Sequence, residues 1–295
     1  MRWGVAGYGD VVTRRVLPAL AESGEVVAYV WGRDAGRAAR TAAAHGAAGG
    51  GDDTDRLFTG VDAVYVATPV IAHVPLAARA LGAGRHVLVE KPLAGALGGG
   101  AALAAQALAA RRCAGVAYYR RLGPAARWLR SVLRDGASQI RVDFRAPFDP
   151  GPEHPMRWRT DPAVAGGGVL ADAGSHRLDL LLGALGRPTR VESRVDRRFA
   201  AGCERRVELR LEWGTATVAE CRFEWAEGAV RDRFEAVAAG RSYARDPLDA
   251  GAVPNPHVPL IADFVTAAGE GRAPVCPVAE AALVDEVIAA ALSVK

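Results

Sequence analysis

Residues 2–12 read Arg-Trp-Gly-Val-Ala-Gly-Tyr-Gly-Asp-Val-Val, an apolar run followed by a glycine-rich turn. Gly7 and Gly9 would allow a tight turn and a close approach of the backbone to a pyrophosphate, whose charge is favoured at a helix N-terminus. Val12 stands where the G-x-G-x-x-G pattern has its third glycine. We expect a dinucleotide site here, with an ordinary strand-to-helix turn as the alternative. The residues predicted to contact the cofactor in this turn are Gly7, Tyr8, Gly9, Asp10 and Val11.

The first 120 residues alternate β-branched runs with amphipathic stretches, which is typical of repeated βαβ units and a parallel sheet. Strands are predicted at Arg2–Ala6, Glu25–Trp31, Ala63–Ala67, His86–Glu90 and Ala114–Tyr118. Helices are predicted at Val11–Ser23, Ala35–His45, Ile71–Ala83 and Gly98–Arg111. The glycine run Gly46–Gly51 predicts a loop in place of a strand.

After Arg121 the pattern changes to longer strands with few helices. Apolar and charged residues alternate in 205–213 and again in 215–225, which predicts antiparallel strands with one buried and one wet face. The predicted fold class is an α/β Rossmann domain plus an α+β domain with an open-faced, mostly antiparallel β-sheet. We place the dinucleotide-binding domain at residues 1–120 and the substrate and oligomerisation domain at 121–295.

Composition excludes several classes of protein. The chain is 50% hydrophobic and 24% charged, as globular proteins are. Its net charge of +4 comes from scattered arginines, without the basic stripe that a nucleic-acid groove requires. The uncharged stretch 93–110 has the length of a membrane span, but it is mostly Ala and Gly and predicts a packed helix. We expect no nucleic acid and no membrane as partners.

Cysteine spacing and the N-terminus bear on metal binding and location. The four cysteines show neither a C-x-x-C pair nor a zinc-like spacing, so no metal is expected. A strand-like run begins at Arg2, which leaves no room for a signal peptide, and we expect a cytoplasmic protein. Lys91 and Lys295 are the only lysines beside 35 arginines, and a lysine retained against such a bias suggests a need for its tunable amine.

The end of the second predicted strand indicates which dinucleotide is bound. An acidic residue there would take the ribose 2′-hydroxyl of NAD, but the chain reads Trp31-Gly32-Arg33-Asp34. Arg33 could instead pair with a 2′-phosphate, and Trp31 could cover the adenine. The sequence favours NADP(H), with NAD(H) possible. In the alternative interpretation Asp34 caps the next helix and Arg33 is merely solvated.

A proton donor is suggested by the predicted helix 172–185. Hydride transfer to a carbonyl leaves an alkoxide, so a general acid must lie within hydrogen-bond reach of that oxygen. With about 100° per residue, Asp172, His176 and Asp179 fall within about 60° of one another on the helix. The alternative is the polar face that any surface helix carries.

Further motifs support a family resemblance. They are Ala67-Thr68-Pro69 with His73, Glu90-Lys91-Pro92, and Gly166-Gly167-Gly168 leading to Asp172 and His176. From residue 2 to about 185 the chain resembles the glucose-fructose oxidoreductase / inositol dehydrogenase / rhizopine-catabolism (Gfo/Idh/MocA) family. The usual Asn after Ala-Thr-Pro is Val70 here, which removes a polar side chain from the expected nicotinamide end.

The resemblance implies a Rossmann domain, an open-faced sheet domain and an active site in the cleft between them. It implies catalytic roles for Lys91, Asp172 and His176. The predicted cofactor contacts, beyond the glycine turn and Trp31, Gly32 and Arg33, are Ala67, Thr68, Pro69, His73, Glu90 and Lys91. The predicted substrate contacts are Tyr119, Arg121, Trp158, Asp172 and His176. For Trp158 a place in the core is the alternative.

We therefore expect an NAD(P)-dependent oxidoreductase that acts on a sugar, keto-sugar or cyclitol, with Lys91 and His176 sharing proton transfer. The alternatives are an NAD-dependent glycosidase or epimerase of the same fold and a non-catalytic dinucleotide-binding protein. The triple glycine is expected to let the backbone approach substrate or cofactor, or else to form a flexible entry. A homodimer or homotetramer is possible, although the wet strand face is rich in Arg and Glu and ill-suited to an apolar interface.

Overall fold

The computed structural model describes residues 1–246 and 254–293. Two compact units are present. The first comprises residues 1–93, 99–119 and, of the described residues, 254–279. The second comprises residues 94–98, 120–246 and 280–293. None of the helices in the described part of the chain is both long and apolar enough to span a bilayer.

The first unit contains a six-stranded, wholly parallel sheet with the order β3-β2-β1-β4-β5-β6. The strands are β1 Arg2–Ala6, β2 Val26–Trp31, β3 Gly50–Gly51, β4 Ala63–Val66, β5 His86–Val89 and β6 Ala114–Val116. The helices are α1 Leu17–Glu22, α2 Ala35–Ala44, α3 Thr54–Phe58, α4 His73–Gly82, α5 Gly100–Ala110 and α9 His257–Glu270. The central strands are buried on both faces, as helices on either side of a parallel sheet require.

Several predicted boundaries in this unit are wrong. Residues 50–51, predicted as part of a loop, form a strand that pairs with Val30 and Trp31. A strand fits there because glycine has no Cβ: a Cβ on Gly50 would lie 2.5 Å from the carbonyl oxygen of Ala38 in α2. Helix α5 begins only at Gly100, since Gly98 and Gly99 have φ values of 78° and 93°. The first predicted helix opens with a π turn at Val12–Val16 before α1 begins.

The second unit contains a mixed sheet with the order β12-β11-β7-β10-β9-β8, in which only the β7–β10 pair is parallel. The strands are β7 Ala137–Ala146, β8 Arg190–Arg198, β9 Glu204–Trp213, β10 Thr217–Trp225, β11 Arg231–Ala238 and β12 Arg241–Arg245. The helices are α6 Pro124–Arg134, α7 Pro162–Ala165, α8 Ser175–Leu185 and α10 Val278–Leu292, whose first two residues belong to the first unit. The predicted fold class is confirmed.

The alternation predicted for β9 and β10 is present. Val207, Leu209 and Leu211 are buried, and so are Ala219 and Cys221 on the partner strand. The opposite face of the sheet carries ion pairs between exposed arginines and carboxylates. The predicted boundary at residue 120 lies beside a change of unit between Tyr119 and Arg120, whereas α9 belongs to the first unit. The division into a dinucleotide-binding domain at 1–120 and a substrate and oligomerisation domain at 121–295 remains a prediction.

A buried carboxylate on β9 holds the start of the helical segment 170–185. Oε1 of Glu204 accepts hydrogen bonds from the backbone N–H groups of Gly168, at 2.7 Å, and Leu170, at 3.0 Å. These N–H groups lie at a helix start, where no intrahelical carbonyl can reach them. Burial raises the pKa of Glu204, and the two N–H groups act against that shift. A strand side chain thus caps a helix far away in sequence.

We expect Glu204→Leu to lower the free energy of unfolding by about 2–4 kcal/mol, because two buried N–H groups lose their acceptor. Glu204→Gln keeps an acceptor oxygen and avoids ionising a buried carboxyl, so its effect should stay within about 1 kcal/mol. Urea unfolding followed by circular dichroism measures both variants. Equal losses for the two would contradict the capping role.

Candidate functional site

The glycine turn after β1 is constrained at Gly7 and open at Gly9. Gly7 has a φ of 118°, and a Cβ there would lie 2.4 Å from the carbonyl oxygen of Ala67. The N–H of Gly7 donates to the carbonyl of Trp31 at 2.8 Å. A Cβ on Gly9 would meet no heavy atom within 4 Å. The protein itself therefore requires glycine at position 7, while position 9 offers open space beside the turn.

The turn leads directly into a helix, as predicted. The first intrahelical bond runs from the N–H of Thr13 to the carbonyl of Gly9, at 3.0 Å. The N–H groups of Asp10 and Val11 precede that bond and lie at the positive end of the helix dipole. Val12 is fully buried, so the side chain that replaces the third glycine packs into the core where the π turn begins. Wider π turns are common at functional sites.

The segment after β2 agrees with the alternative interpretation of the sequence, and the contact of Arg33 with a 2′-phosphate remains a prediction. Asp34 caps α2, since its carboxylate accepts from the N–H of Arg37 at 2.9 Å. Arg33 is exposed. Gly32 lies against Tyr8, because a Cβ on Gly32 would overlap that ring at 1.9 Å, and the Arg37 guanidinium lies 4.5 Å from the ring centroid. The cap predicted as the alternative role of Asp34 is confirmed.

Trp31 is half-buried at the end of β2. Its indole N–H donates to the carbonyl of Asp52 at 2.9 Å. That bond fixes the ring beside the loop after β3. Contact of Trp31 with an adenine remains a prediction.

His73 links the loop after β4 to the loop after β5. Its Nε2 lies 2.8 Å from the carbonyl oxygen of Thr68, and its Nδ1 lies 2.9 Å from that of Pro92. The ring is only 1% exposed, and burial lowers the pKa of His73 although both carbonyls oppose this. Ala67 directly follows β4, and its backbone N–H donates a hydrogen bond to the carbonyl of Ala6 in β1. Pro69 precedes a 3₁₀ turn. His73 thus joins two loops whose cofactor contacts remain predictions.

Glu90 and Lys91 follow β5 at the same edge of the sheet. The carboxylate of Glu90 is 7% exposed, and its Oε1 accepts from the Tyr65 hydroxyl at 2.8 Å and faces Nε2 of His257 at 3.1 Å. The backbone N–H of Lys91 donates to its Oε2 at 3.2 Å. Lys91 itself is half-buried. The carboxylate predicted to contact the cofactor is therefore occupied by protein donors.

The helical segment with Asp172 and His176 differs from the prediction. Asp172 lies in a π turn, Leu170–Gly174, so a uniform step of 100° per residue does not apply between Asp172 and His176. Every residue from 175 to 182 in helix α8 is buried, so this part of the helix has no solvent-exposed polar face. Asp179 is fully buried and accepts a hydrogen bond from the Arg121 guanidinium at 2.6 Å. Burial raises the pKa of Asp179 to about 6, although the charge and hydrogen bond of Arg121 act to lower it. The prediction that Asp179 supplies an accessible acid is wrong.

Asp172 has a partner that the sequence did not indicate. Arg159 donates to its Oδ2 at 3.0 Å, and both side chains are about a quarter exposed, at 29% and 25%. The Arg159 guanidinium lies 5.6 Å from the ring centroid of Trp158, which is half-buried. His176 is 5% exposed on the next turn of the same segment. The second unit thus brings Asp172 and Trp158 together through Arg159.

Tyr119 and Arg121, both predicted to contact substrate, make extensive contacts with the protein. The Tyr119 ring lies 5.2 Å from the His257 ring, in the first unit. Arg121 pairs with Asp179 and contacts Glu280, in the second unit. Arg121 therefore acts as a buried anchor of α8. A substrate contact for either residue remains a prediction.

The triple glycine serves chain packing. A Cβ on Gly166 would lie 2.5 Å from the carbonyl oxygen of Ala94, and one on Gly168 would lie 2.1 Å from that of Glu204. Both conflicts are with backbone atoms, which cannot move aside as a flexible side chain can. Gly166 and Gly168 are thus required by neighbouring backbone, and the expected approach to substrate or cofactor is not needed to explain these two glycines.

Sequence reasoning missed Tyr65, His257 and Arg159, which contact predicted site residues, and Glu204, which caps the segment that carries Asp172 and His176. Tyr65 lies in a strand read only as core, and His257 is 167 positions from its carboxylate. Arg159 is one of many arginines and carries no local mark. Its position next to Trp158, which the sequence analysis named as a candidate substrate contact, is the signal that could have drawn attention to Arg159.

Two family models match the chain. A model described as an oxidoreductase family with an NAD-binding Rossmann fold matches residues 1–118, and a model of the GFO/IDH/MocA C-terminal domain matches residues 135–242. Among curated relatives, dTDP-3,4-didehydro-2,6-dideoxy-alpha-D-glucose 3-reductase of Streptomyces antibioticus is 37% identical over 203 residues, 67% of this chain and 61% of that protein. The chain thus covers less than two thirds of this relative's length.

Solved structures agree in fold over nearly the whole chain. The WlbA dehydrogenase of Bordetella pertussis, in complex with NADH and UDP-GlcNAcA, has a TM-score of 0.85 at 17% identity, covering 98% of this chain and 94% of that one. Levoglucosan dehydrogenase, in complex with NADH and levoglucosan, has a TM-score of 0.83 at 20% identity, covering 99% and 98%. The chain belongs to the Gfo/Idh/MocA oxidoreductase family, with an NAD-binding Rossmann fold in its N-terminal part.

Proposed function

We propose that the chain is an NADP(H)-dependent oxidoreductase that moves hydride to or from a carbon of a sugar, keto-sugar or cyclitol. The observation that carries this proposal concerns the carboxyl edge of the first sheet. The open glycine turn follows β1 and Lys91 follows β5, and both strands belong to this one parallel sheet. Ligands of open α/β sheets bind at that edge. The relatives named as sugar reductases and dehydrogenases support the substrate class.

The residues of the glycine turn fit a dinucleotide. Gly9 leaves space next to the N–H groups that begin the helix, where an anion is favoured. Gly7, Tyr8, Asp10 and Val11 would surround the pyrophosphate together with Gly9. The loop residues Ala67, Thr68 and Pro69 would lie along the nicotinamide half. A bound nicotinamide supplies or accepts the hydride.

The remaining chemistry is proton transfer at the substrate oxygen. Reduction adds a hydride to the carbonyl carbon and a proton to its oxygen, and oxidation reverses both transfers. Lys91 would donate the proton or a hydrogen bond to that oxygen, and His176 would share the transfer. Asp172, held by Arg159, would orient the substrate hydroxyl. Tyr119, Arg121 and Trp158 are the further candidates for substrate contact.

The preference for NADP(H) rests on the end of β2. The carboxylate of Asp34 accepts from a backbone N–H of α2, which leaves the exposed guanidinium of Arg33 as the charged group next to Gly32. A guanidinium binds a phosphate with charge-assisted, paired hydrogen bonds. The family structures cited contain NADH, so the preference is a proposal for this chain.

Gly9→Ala is expected to weaken NADPH binding by about tenfold or more, or ~1.4 kcal/mol, because a methyl group would enter the space beside the helix start. The fold should tolerate it, since no protein atom lies within 4 Å of that Cβ. Fluorescence titration and thermal melting measure the two effects. Gly7→Ala serves as the contrast and should lower the melting temperature markedly. Unchanged NADPH affinity in Gly9→Ala would argue against the site.

Lys91→Met is expected to lower kcat for NADPH-linked reduction of a keto-sugar by about 10²–10⁴-fold, the usual contribution of a positioned proton donor. The loss in kcat should exceed the loss in NADPH affinity, because the amine transfers the proton at the substrate oxygen besides contacting the cofactor. Lys295→Met, which removes the other lysine, is the matched control and should retain wild-type turnover. Full activity in Lys91→Met would refute the assigned role.

Arg33→Ala should weaken NADPH binding by about tenfold and leave NADH affinity within about threefold, because only NADPH carries the 2′-phosphate. Arg130→Ala, an exposed arginine of α6, is the control for loss of one positive charge. Dissociation constants for both dinucleotides decide the matter. Equal effects on NADPH and NADH would contradict a 2′-phosphate contact.

A further inference from the structure

His257 is a buried histidine that the chemistry described so far does not use. It begins α9, is 3% exposed, and belongs to the first unit together with Glu90 and Lys91. Its Nε2 lies 3.1 Å from Oε1 of Glu90, and its ring lies 5.2 Å from that of Tyr119. An ionised carboxylate can only accept, so Nε2 of His257 carries the proton in this hydrogen bond.

Glu90 is surrounded by donors at both oxygens. Oε1 receives the Tyr65 hydroxyl and the His257 ring, and Oε2 receives the backbone N–H of Lys91. Burial alone would raise the pKa of Glu90, but the hydrogen bonds from His257 and Tyr65 and the charges of His257 and Lys91 outweigh it, so the pKa is below its usual range. The protein therefore favours the ionised form of Glu90, whose Oε2 contacts the backbone of Lys91.

The segment that carries His257 is attached to the helix that follows the glycine turn. The side-chain amide of Asn255 donates to the carbonyl of Arg15 at 2.8 Å, and the Arg15 guanidinium donates to the carbonyl of Pro254 at 2.9 Å. The Asn255 carboxamide oxygen accepts the N–H of His257 at 3.1 Å. Residues 254–257 thus connect the π turn to Glu90 through consecutive hydrogen bonds.

We propose that His257 is a positioning residue, which fixes Glu90 as an anion and through it holds the ammonium group of Lys91 in place for proton transfer. This inference rests on the proposed function, because it assigns His257 a purpose in the chemistry of Lys91. Without the hydrogen bond from Nε2, the buried carboxylate loses one of the interactions that keep it ionised, and the attraction that restrains the amine weakens.

The two lysines of the chain allow a test that does not need substrate. Acetylation with limiting acetic anhydride, read by mass spectrometry, gives the rate at Lys91 relative to Lys295 as an internal reference. In His257→Phe we expect this ratio to rise by about threefold or more, since an amine that is attracted less strongly by a neighbouring carboxylate is more open to the reagent. His257→Gln places an amide N–H near the position of Nε2 and should return the ratio to within about 1.5-fold of the wild type.

Three further variants complete the design. His45→Phe, a half-buried histidine at the end of α2, is the control for a His-to-Phe change in the same unit and should leave the ratio unchanged. Glu90→Gln removes the anion and should raise the ratio at least as much as His257→Phe. Asn255→Ala loosens the segment without altering the buried ring, so it shifts the ratio in the same direction even if His257→Phe fails to fold.

Turnover provides the second readout. With the keto-sugar and NADPH, His257→Phe should lower kcat by about tenfold, as small misplacements of reacting groups do. The KM for NADPH should change less than about twofold, and His257→Gln should recover most of kcat. A merely structural role would lower the melting temperature of both variants alike and show no recovery.

An unchanged labelling ratio in His257→Phe and Asn255→Ala would overturn the inference, and so would equal increases in His257→Phe and His257→Gln. The proposed function fails separately, if Lys91→Met retains full NADPH-linked turnover. In that case the labelling ratios still decide whether His257 holds Lys91.

Discussion

The first unit depends on close contacts between backbone segments at glycine positions. At Gly4 and Gly7 a Cβ would lie 2.3 Å and 2.4 Å from the carbonyl oxygens of Leu57 and Ala67, respectively. The same close approach occurs at Gly50 below α2. Because Gly7 carries no side chain, the turn after β1 lies directly on the chain that follows β4.

Buried carboxylates provide the second level of organisation. Asp285 of α10 accepts the N–H groups of Ala94 and Gly95, at 3.0 Å and 2.8 Å, as Glu204 accepts those of Gly168 and Leu170. Burial raises the pKa of Asp285 to about 8, although the hydrogen bonds from these two N–H groups act to lower it. Each of these carboxyl groups supplies acceptor oxygens to backbone N–H groups that no secondary structure satisfies, and these hydrogen bonds offset part of the cost of burying a polar side chain.

The Arg-rich composition has two consequences in the second unit. On the open face of the sheet, pairs such as Arg210 with Glu212 and Arg233 with Glu235 are solvent-exposed and contribute little to stability individually. In the interior, Arg177 pairs with the buried Asp232 and lies 4.3 Å from the ring centroid of Phe144. A guanidinium is suited to this because it is planar and weakly hydrated, so the same residue type serves both environments.

The sequence alone determined the two-part fold, the parallel sheet, the glycine turn and the end of the strand that carries Lys91, because these features are encoded in local periodicity and short motifs. Tertiary structure alone decided which polar groups meet. Asp179 was a candidate proton donor beside Asp172 and His176, but Arg121 and the surrounding core bury it. Glu90 and His257 stand 167 positions apart, and no local pattern can indicate a hydrogen bond that exists only after α9 packs against the rest of the first unit.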